Sequence, residues 1–286
     1  MDRRKSEGLS RSARWFCWVL MGLLLLAAVE TQTAENPQSP APDAVFEFPN
    51  TPNGPEARSR AELDAFGRVM ESITAAEVIS AAESFASGYP DSQLLPIVRL
   101  REMRAEMAAN SYAGAVAIGR ELLRKNPDNL EALVLMAEIL PDFPPSYSSK
   151  REAILAEAER DIGSAQKLLQ TFHLPQGASA AEFLRNKQRM AVSLEEAAAF
   201  VDLVAGRYPE AARKYEQALE RSDGRSPVSL FRLGLAYYRM GDRQEARAKL
   251  EEVMRSNSPL IRQKAAALLR QIDSSRSASR ASAAKP

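Results

Sequence analysis

Apolar residues recur at helical spacing through the central part of the chain. In one stretch they are three or four positions apart, which places them on one face of a helix: Ile154, Ala158, Ile162, Ala165 and Leu169. Residues 149–152 and 179–182 each match a capping box, in which serine and glutamate satisfy free backbone N–H groups at a helix start. No stretch shows the turn-bounded alternation of a strand. The pattern predicts an all-α fold.

The clearest repeated unit runs from Pro227 to about Pro259. It contains a Leu-Gly pair, a tyrosine, a turn glycine and a small residue followed by a large one, at Leu233, Gly234, Tyr237, Gly241, Ala246 and Leu250. The small residues let two antiparallel helices approach closely, and Gly241 permits the tight turn between them. This unit resembles the tetratricopeptide repeat, a helix–turn–helix unit of about 34 residues.

The same spacing returns earlier in the chain. One unit is marked by Gly206, Tyr208, Ala211, Tyr215 and Ala218, and another by Asn110, Tyr112, Ala115 and Leu122. The glycine position of the first helix holds Ala199 in the former and Met103 in the latter. Weaker units cover 130–170, with an expanded turn at 141–145, and 72–90, and a terminal helix covers 260–272. The resemblance implies an α-α superhelix of stacked antiparallel helix pairs over about 72–272.

The first 34 residues have the order of a targeting segment. Basic residues precede an uncharged run from Trp15 to Val29. Its 15 residues fit a signal h-region of about 7–15 and fall short of the roughly 17 that a spanning helix needs. No cut after Ala28 or Ala34 gives small residues at both required positions, so cleavage stays open. We predict a signal sequence or N-terminal membrane anchor at 1–34 that sends the chain to a bacterial-type periplasm, anchored in the inner membrane or released.

The flanks of the repeats differ from them in composition. Residues 35–58 contain six prolines, which predicts an extended linker. Residues 274–286 consist of serine, alanine, arginine and lysine with one final proline, and they predict a disordered tail. The repeat domain is therefore placed at 59–273.

Composition and the lack of known motifs exclude most kinds of catalytic, metal-binding and nucleic-acid-binding site. The chain has 38 basic and 37 acidic residues, so its neutral body has no overall attraction to nucleic acid. Cys17 is the one cysteine and His173 the one histidine, which leaves no disulfide and no zinc ligand set. Motifs for phosphate binding, nucleophilic catalysis and metal-dependent hydrolysis are missing from the sequence. We expect no enzyme activity, no cofactor and no metal site.

The resemblance implies that ligand peptides lie on the first helices of the repeats. In two units the corresponding positions include Glu196 and a set that is apolar or aromatic with one cation: Phe200, Leu203, Phe231, Leu235, Tyr238 and Arg239. The prediction is a scaffold that binds a protein or peptide in this concave groove and supports assembly of a larger complex. The alternatives are a self-associating homo-oligomeric module without a separate ligand, an enzyme lacking a motif, and a groove covered by the helix after Ala180 or by Phe46–Phe48.

Overall fold

The computed structural model describes residues 55–143, 150–174, 179–222 and 226–283, with side chains to residue 274. The predicted targeting segment and most of the linker lie outside these ranges. Every regular element within them is an α-helix: α1 Arg60–Glu71, α2 Ala75–Gly88, α3 Leu95–Ala108, α4 Tyr112–Lys125, α5 Leu130–Ile139, α6 Arg151–Thr171, α7 Ala180–Ala205, α8 Tyr208–Arg221, α9 Pro227–Met240, α10 Arg243–Met254 and α11 Pro259–Ala283. None of these helices has the length and apolarity to cross a membrane.

The helices stack as consecutive pairs. Each helix packs against the next one in the chain, and the connections, most of them short, make neighbours antiparallel. The odd-numbered helices, which we call the first helices, also form a row, in which α3 contacts α5, α5 contacts α7, α7 contacts α9 and α9 contacts α11. The predicted all-α stack of helix pairs is confirmed. It contains one more first helix than the sequence pattern indicated, since α1 precedes the unit at 72–90.

Turn residues close the pairs where the sequence placed them. Gly206 and Gly241 end α7 and α9 with φ of 83° and 87°, a left-handed conformation that glycine adopts without strain. Asn110 takes the same role after α3, with φ of 58°. Ser179 caps α7 by accepting a hydrogen bond from the Glu182 backbone. The other predicted cap, at residue 149, lies outside the described residues.

In the core, a small residue on one helix of a pair faces a large residue on the other, and the helix that carries the small residue differs between repeats. A Cβ on Gly234 would lie 3.0 Å from Leu250 Cγ, so the glycine makes room for that leucine. In the α3–α4 pair the order is reversed, because Met103 occupies the glycine position and Gly119 the position of the leucine, each 131 residues earlier in the chain. A Cβ on Gly119 would overlap the end of Met136 and lie 3.0 Å from Met103 Cε. The units with irregular sequence therefore keep the same close contact by another route.

Two helices are longer than the repeat requires. Helices α6 and α7 have 21 and 26 residues, whereas α8 has 14. Arg221, the last residue of α8, is paired with Glu195 of α7, so α7 runs on beyond the end of α8. At the far end of this hairpin the Phe172 and Phe183 rings stack with centroids 5.7 Å apart. Lys187 Nζ donates to the Phe172 carbonyl at 3.0 Å.

The last helix continues beyond the predicted end of the repeat domain. The sequence predicted a disordered tail from residue 274, whereas α11 extends to Ala283. Residues 274–283 consist of serine, alanine and arginine, without glycine or proline, and alanine is the strongest helix former. A run that offers nothing to a core can therefore still prolong a helix that the repeat stack has already nucleated.

A carboxylate on α6 makes stability depend on pH. Arg120 of α4 holds Glu157 of α6 with two hydrogen bonds of 2.8 and 2.6 Å. One turn on, Asp161 Oδ2 is buried without a hydrogen-bond partner in the described part of the chain. Burial, with a smaller contribution from Glu157, raises the pKa of Asp161 from 3.8 to about 6. The folded state therefore favours the neutral acid.

We expect Asp161→Asn to stabilise the protein at pH 7. Between pH 3.8 and about 6 the folded chain binds more protons at Asp161 than the unfolded chain does, so its contribution to stability falls as pH rises through that window and stays lost above it. Urea denaturation at pH 4, 5, 6 and 7 should show that the free energy of unfolding of the variant rises relative to that of the parent protein as pH increases across the window. Asp64→Asn, at an exposed ion pair with Arg60, is the control. A constant difference between variant and parent at all four pH values would contradict the assignment.

Candidate partner-binding surface

The six residues predicted to line a groove all lie on the neighbouring first helices α7 and α9. Phe231, Leu235 and Tyr238 are half-buried and follow one another along one face of α9; we call them the α9 row. Phe200 and Leu203 of α7 are each only 8% exposed and belong to the core cluster against which the row packs. Phe200 and Leu203 therefore form the buried floor of the predicted groove, and the α9 row forms its solvent-accessible part.

The predicted cation, Arg239, is exposed at the end of α9. A second arginine on this helix has a different role. The Arg232 guanidinium lies 3.4 Å from the centroid of the Phe200 ring and 3.3 Å from Asp142 Oδ2. Its side chain is 23% exposed, so much of it is enclosed by these neighbours. Arg232 therefore joins α9 to α7 and to the segment that follows α5, while Arg239 is left facing solvent.

Carboxylates mark three steps along the row of first helices, from α3 to α9. Arg104 of α3 pairs with Glu131 of α5. Glu138 of α5 is hydrogen-bonded to Ser193 of α7, and the next step is made by Ser229 of α9, which donates to Glu196 of α7. Polar groups buried between helices stabilise the folded state only when they have hydrogen-bond or ion-pair partners. These contacts fix how successive helix pairs align.

Two of the carboxyl groups beside this surface are shifted toward the neutral form. Burial raises the pKa of Glu138, and the nearby Glu196 carboxylate adds to that rise, while Ser193 and Arg104 oppose it. Desolvation likewise raises the pKa of Asp142 against the attraction of Arg232 and Lys264. Carboxyl groups on α5 and in the segment after it therefore lie beside the α9 row, where burial favours their neutral form.

Sequence reasoning missed these acids although the repeat register contained the signal. The α5 helix aligns with α9 at an offset of 97 residues, which places Ala137 at Gly234. The same offset puts Glu138 at the position of Leu235 and Asp142 at that of Arg239. Applying the groove positions to this weaker unit would have revealed its charged face. Of the two proposed covers, Phe46–Phe48 lies outside the described residues.

One family comparison decides the class of repeat. Residues 228–258, which span α9 and α10, match the family model described as tetratricopeptide repeat. The chain therefore contains a tetratricopeptide repeat at these residues. Proteins built from this repeat are generally non-enzymatic scaffolds for protein interactions. Within the described ranges, no group of three or more His, Cys, Asp or Glu side chains could hold a metal ion.

Solved structures of tetratricopeptide-repeat proteins resemble the chain in fold. One is a thermophilic protein of Thermus thermophilus, with 17% identity and a TM-score of 0.49, covering 73% of this chain and 94% of its own. Another comes from Parabacteroides merdae, with 12% identity and a TM-score of 0.40, covering 72% of this chain and 86% of its own. No curated protein sequence matches this chain.

Proposed function

We propose that this protein is a non-enzymatic scaffold that binds a protein or peptide partner on the α9 row and helps to assemble a larger complex. The observation that carries the proposal is the half-exposed row of Phe231, Leu235 and Tyr238 with the exposed Arg239 beside it. Two aromatic rings and a guanidinium have the composition of a binding hot spot. The fixed backbone of α9 presents them without an ordering cost.

The partner chemistry follows from the residues beside the row. An apolar or aromatic side chain would pack on the rings, and a carboxylate or carbonyl would accept from Arg239. Arg232 is engaged by Asp142 and Phe200, so it adds little free positive charge. The alternative is self-association through the same row. The mass of the purified protein in solution separates the two, because only self-association makes a stable oligomer that disappears when the row is changed.

We expect Phe231→Leu with Tyr238→Leu to weaken partner capture by about tenfold or more, the scale of a lost hot spot. Leucine keeps an apolar side chain on the core beneath, so unfolding free energy should fall by less than about 1.5 kcal/mol per site. Partner capture is read by photo-crosslinking from position 228, on the exposed first turn of α9, in the native cells, with thermal unfolding measured in parallel. Tyr208→Leu, at a half-buried tyrosine of α8, is the control. A loss of about 3–5 kcal/mol, typical of a truncated core aromatic, would assign the rings to the core instead.

The proposed place of action is the cell envelope, because residues 1–34 have the basic-then-apolar order of a targeting segment. We expect these residues, fused to a reporter that is active only outside the cytoplasm, to give activity. Replacing Leu23–Leu26 by four serines should abolish it, since the apolar run is then interrupted. A reporter that stays inactive and soluble in the cytoplasm would refute envelope targeting. The N-terminal sequence of the mature protein shows whether the segment is cleaved.

A further inference from the structure

A second surface lies away from the α9 row, along the seam between α6 and α7. One cavity of about 440 Å³ lies where α8 flanks this seam. A second, of about 620 Å³, follows where α7 continues beyond α8. The two share Gln166 and Glu195 among their lining residues, so they form one continuous trough, which we call the α6–α7 groove. It exists because α6 and α7 are longer than α8.

The groove has an apolar floor and amide-bearing sides. Its floor includes Ile162, Leu169 and Leu194, all buried residues of the main core cluster. Four glutamines line it: Gln166, Gln170, Gln188 and Gln217. Each amide group offers both donors and an acceptor. An extended peptide has unpaired backbone groups that such amides can satisfy, whereas a helix has already paired its own.

The charge of the groove is positive. Five cations and three carboxylates line it, a net charge of +2: Arg207, Lys214, Arg221, Arg213 and Lys187 against Asp202, Glu159 and Glu195. Asp202, whose side chain is 4% exposed, lies 2.6 Å from both Arg207 and Lys214. Arg207 also pairs with Glu159, and Arg221 pairs with Glu195. The three carboxylates are thus held by three cations.

Two cations remain as the source of the excess positive charge. Arg213 is exposed on α8, and Lys187 donates to an uncharged carbonyl, that of Phe172. They stand toward opposite ends of the groove, since one lines only the first cavity and the other only the second. From Leu184 to Asp202 the α7 face is about 27 Å long at 1.5 Å per residue. That length takes about eight residues of extended chain.

We propose that the α6–α7 groove binds an extended acidic segment of a partner protein, with apolar side chains on the floor and carboxylates at Lys187 and Arg213. This site shares no residue with the α9 row, so the scaffold has two docking surfaces. The glutamines align the backbone of the segment, and the positive charge selects against basic sequences. A partner bound here leaves the first-helix row free for another.

The test uses the full chain and fluorescein-labelled eight-residue peptides that alternate leucine with glutamate, glutamine or lysine. In fluorescence anisotropy we expect the glutamate peptide to bind at least tenfold more tightly than the lysine peptide, and added salt to reduce the difference. Equal binding of all three peptides, or no binding of the glutamate peptide at millimolar concentration, would overturn the proposal.

An isosteric variant locates the binding. Gln188→Glu with Gln217→Glu changes two exposed positions and brings the groove charge from +2 to zero. The affinity for the glutamate peptide should fall by about tenfold or more. The matched control is Gln263→Glu with Gln271→Glu, exposed on α11, which should leave binding unchanged. An equal loss in the control would refute the site. The Phe231→Leu, Tyr238→Leu variant should bind the peptide normally, so failure of this proposal is distinct from failure of the proposed function.

Discussion

Replacing Gly234 by leucine should lower the free energy of unfolding by about 2–3 kcal/mol, near the upper end for an overpacked core. A Cβ at this position would lie 3.0 Å from Leu250 Cγ and 3.4 Å from the Ala246 carbonyl oxygen. The remaining atoms of a leucine would extend from this Cβ into Leu250, which already fills the space between the helices, so α9 and α10 must separate. Guanidinium denaturation followed by helical circular dichroism measures the change. Gly67→Leu, where a Cβ meets nothing within 4 Å, should be neutral or stabilising, because leucine is the better helix former.

A double-mutant cycle with Leu250→Ala tests whether crowding against Leu250 causes the loss of stability in Gly234→Leu. Leu250 is fully buried, so that substitution alone should cost about 2–5 kcal/mol. Combined with Gly234→Leu it should cost less than the sum by more than about 1 kcal/mol, since the new side chain fills part of the space. The Met103 and Gly119 pair already shows this exchange in another repeat. Strict additivity of the two substitutions would mean that the helices do not touch where the repeat register places them.

The fold could be predicted because the repeat register depends on local chemistry. Gly206, Gly241 and Asn110 stand where a helix must end in the left-handed conformation, and a sequence shows such residues directly. Helix α1 was harder to predict, because its buried residues are few and one of them is polar: Glu62, Ala65 and Val69. The Glu62 carboxylate accepts from the Arg58 backbone N–H at 2.6 Å, a helix-start contact that hydrophobic periodicity does not contain.

The proposed binding surface was only partly predictable, for a different reason. The α9 row lies on one helix, so its members follow from helical spacing alone. The network around it joins residues far apart in the chain, such as Asp142 and Arg232, 90 positions apart. Which carboxylate an arginine meets depends on the alignment of two non-adjacent helix pairs. The α6–α7 groove was missed likewise, because it arises from the relative lengths of three helices.

Arg232→Ala should lower the free energy of unfolding by about 2 kcal/mol, because three contacts are lost together. The substitution removes a cation–π contact with Phe200, worth about 0.5–2 kcal/mol, the ion pair with Asp142, and the packing of the arginine stem. Asp142, whose pKa is already raised by desolvation, would then keep only the attraction of Lys264. Arg232→Lys should recover less than half, because an ammonium group cannot lie flat on the ring and meet the carboxylate as well.

The matched control on the same helix is Arg239→Ala, which should change stability by less than about 0.5 kcal/mol, because the residue is exposed. Partner capture should respond in the opposite order, with Arg239→Ala weakening it and Arg232→Lys leaving it intact. Denaturant unfolding and the same crosslinking assay, from position 228 on the exposed first turn of α9, give the two readouts. Equal losses of stability for the two alanine variants would mean that Arg232 is not enclosed by Phe200 and Asp142. Because Arg232 aligns the helices and Arg239 faces solvent, we expect α9 to use one arginine to support the proposed surface and the other to contact the partner.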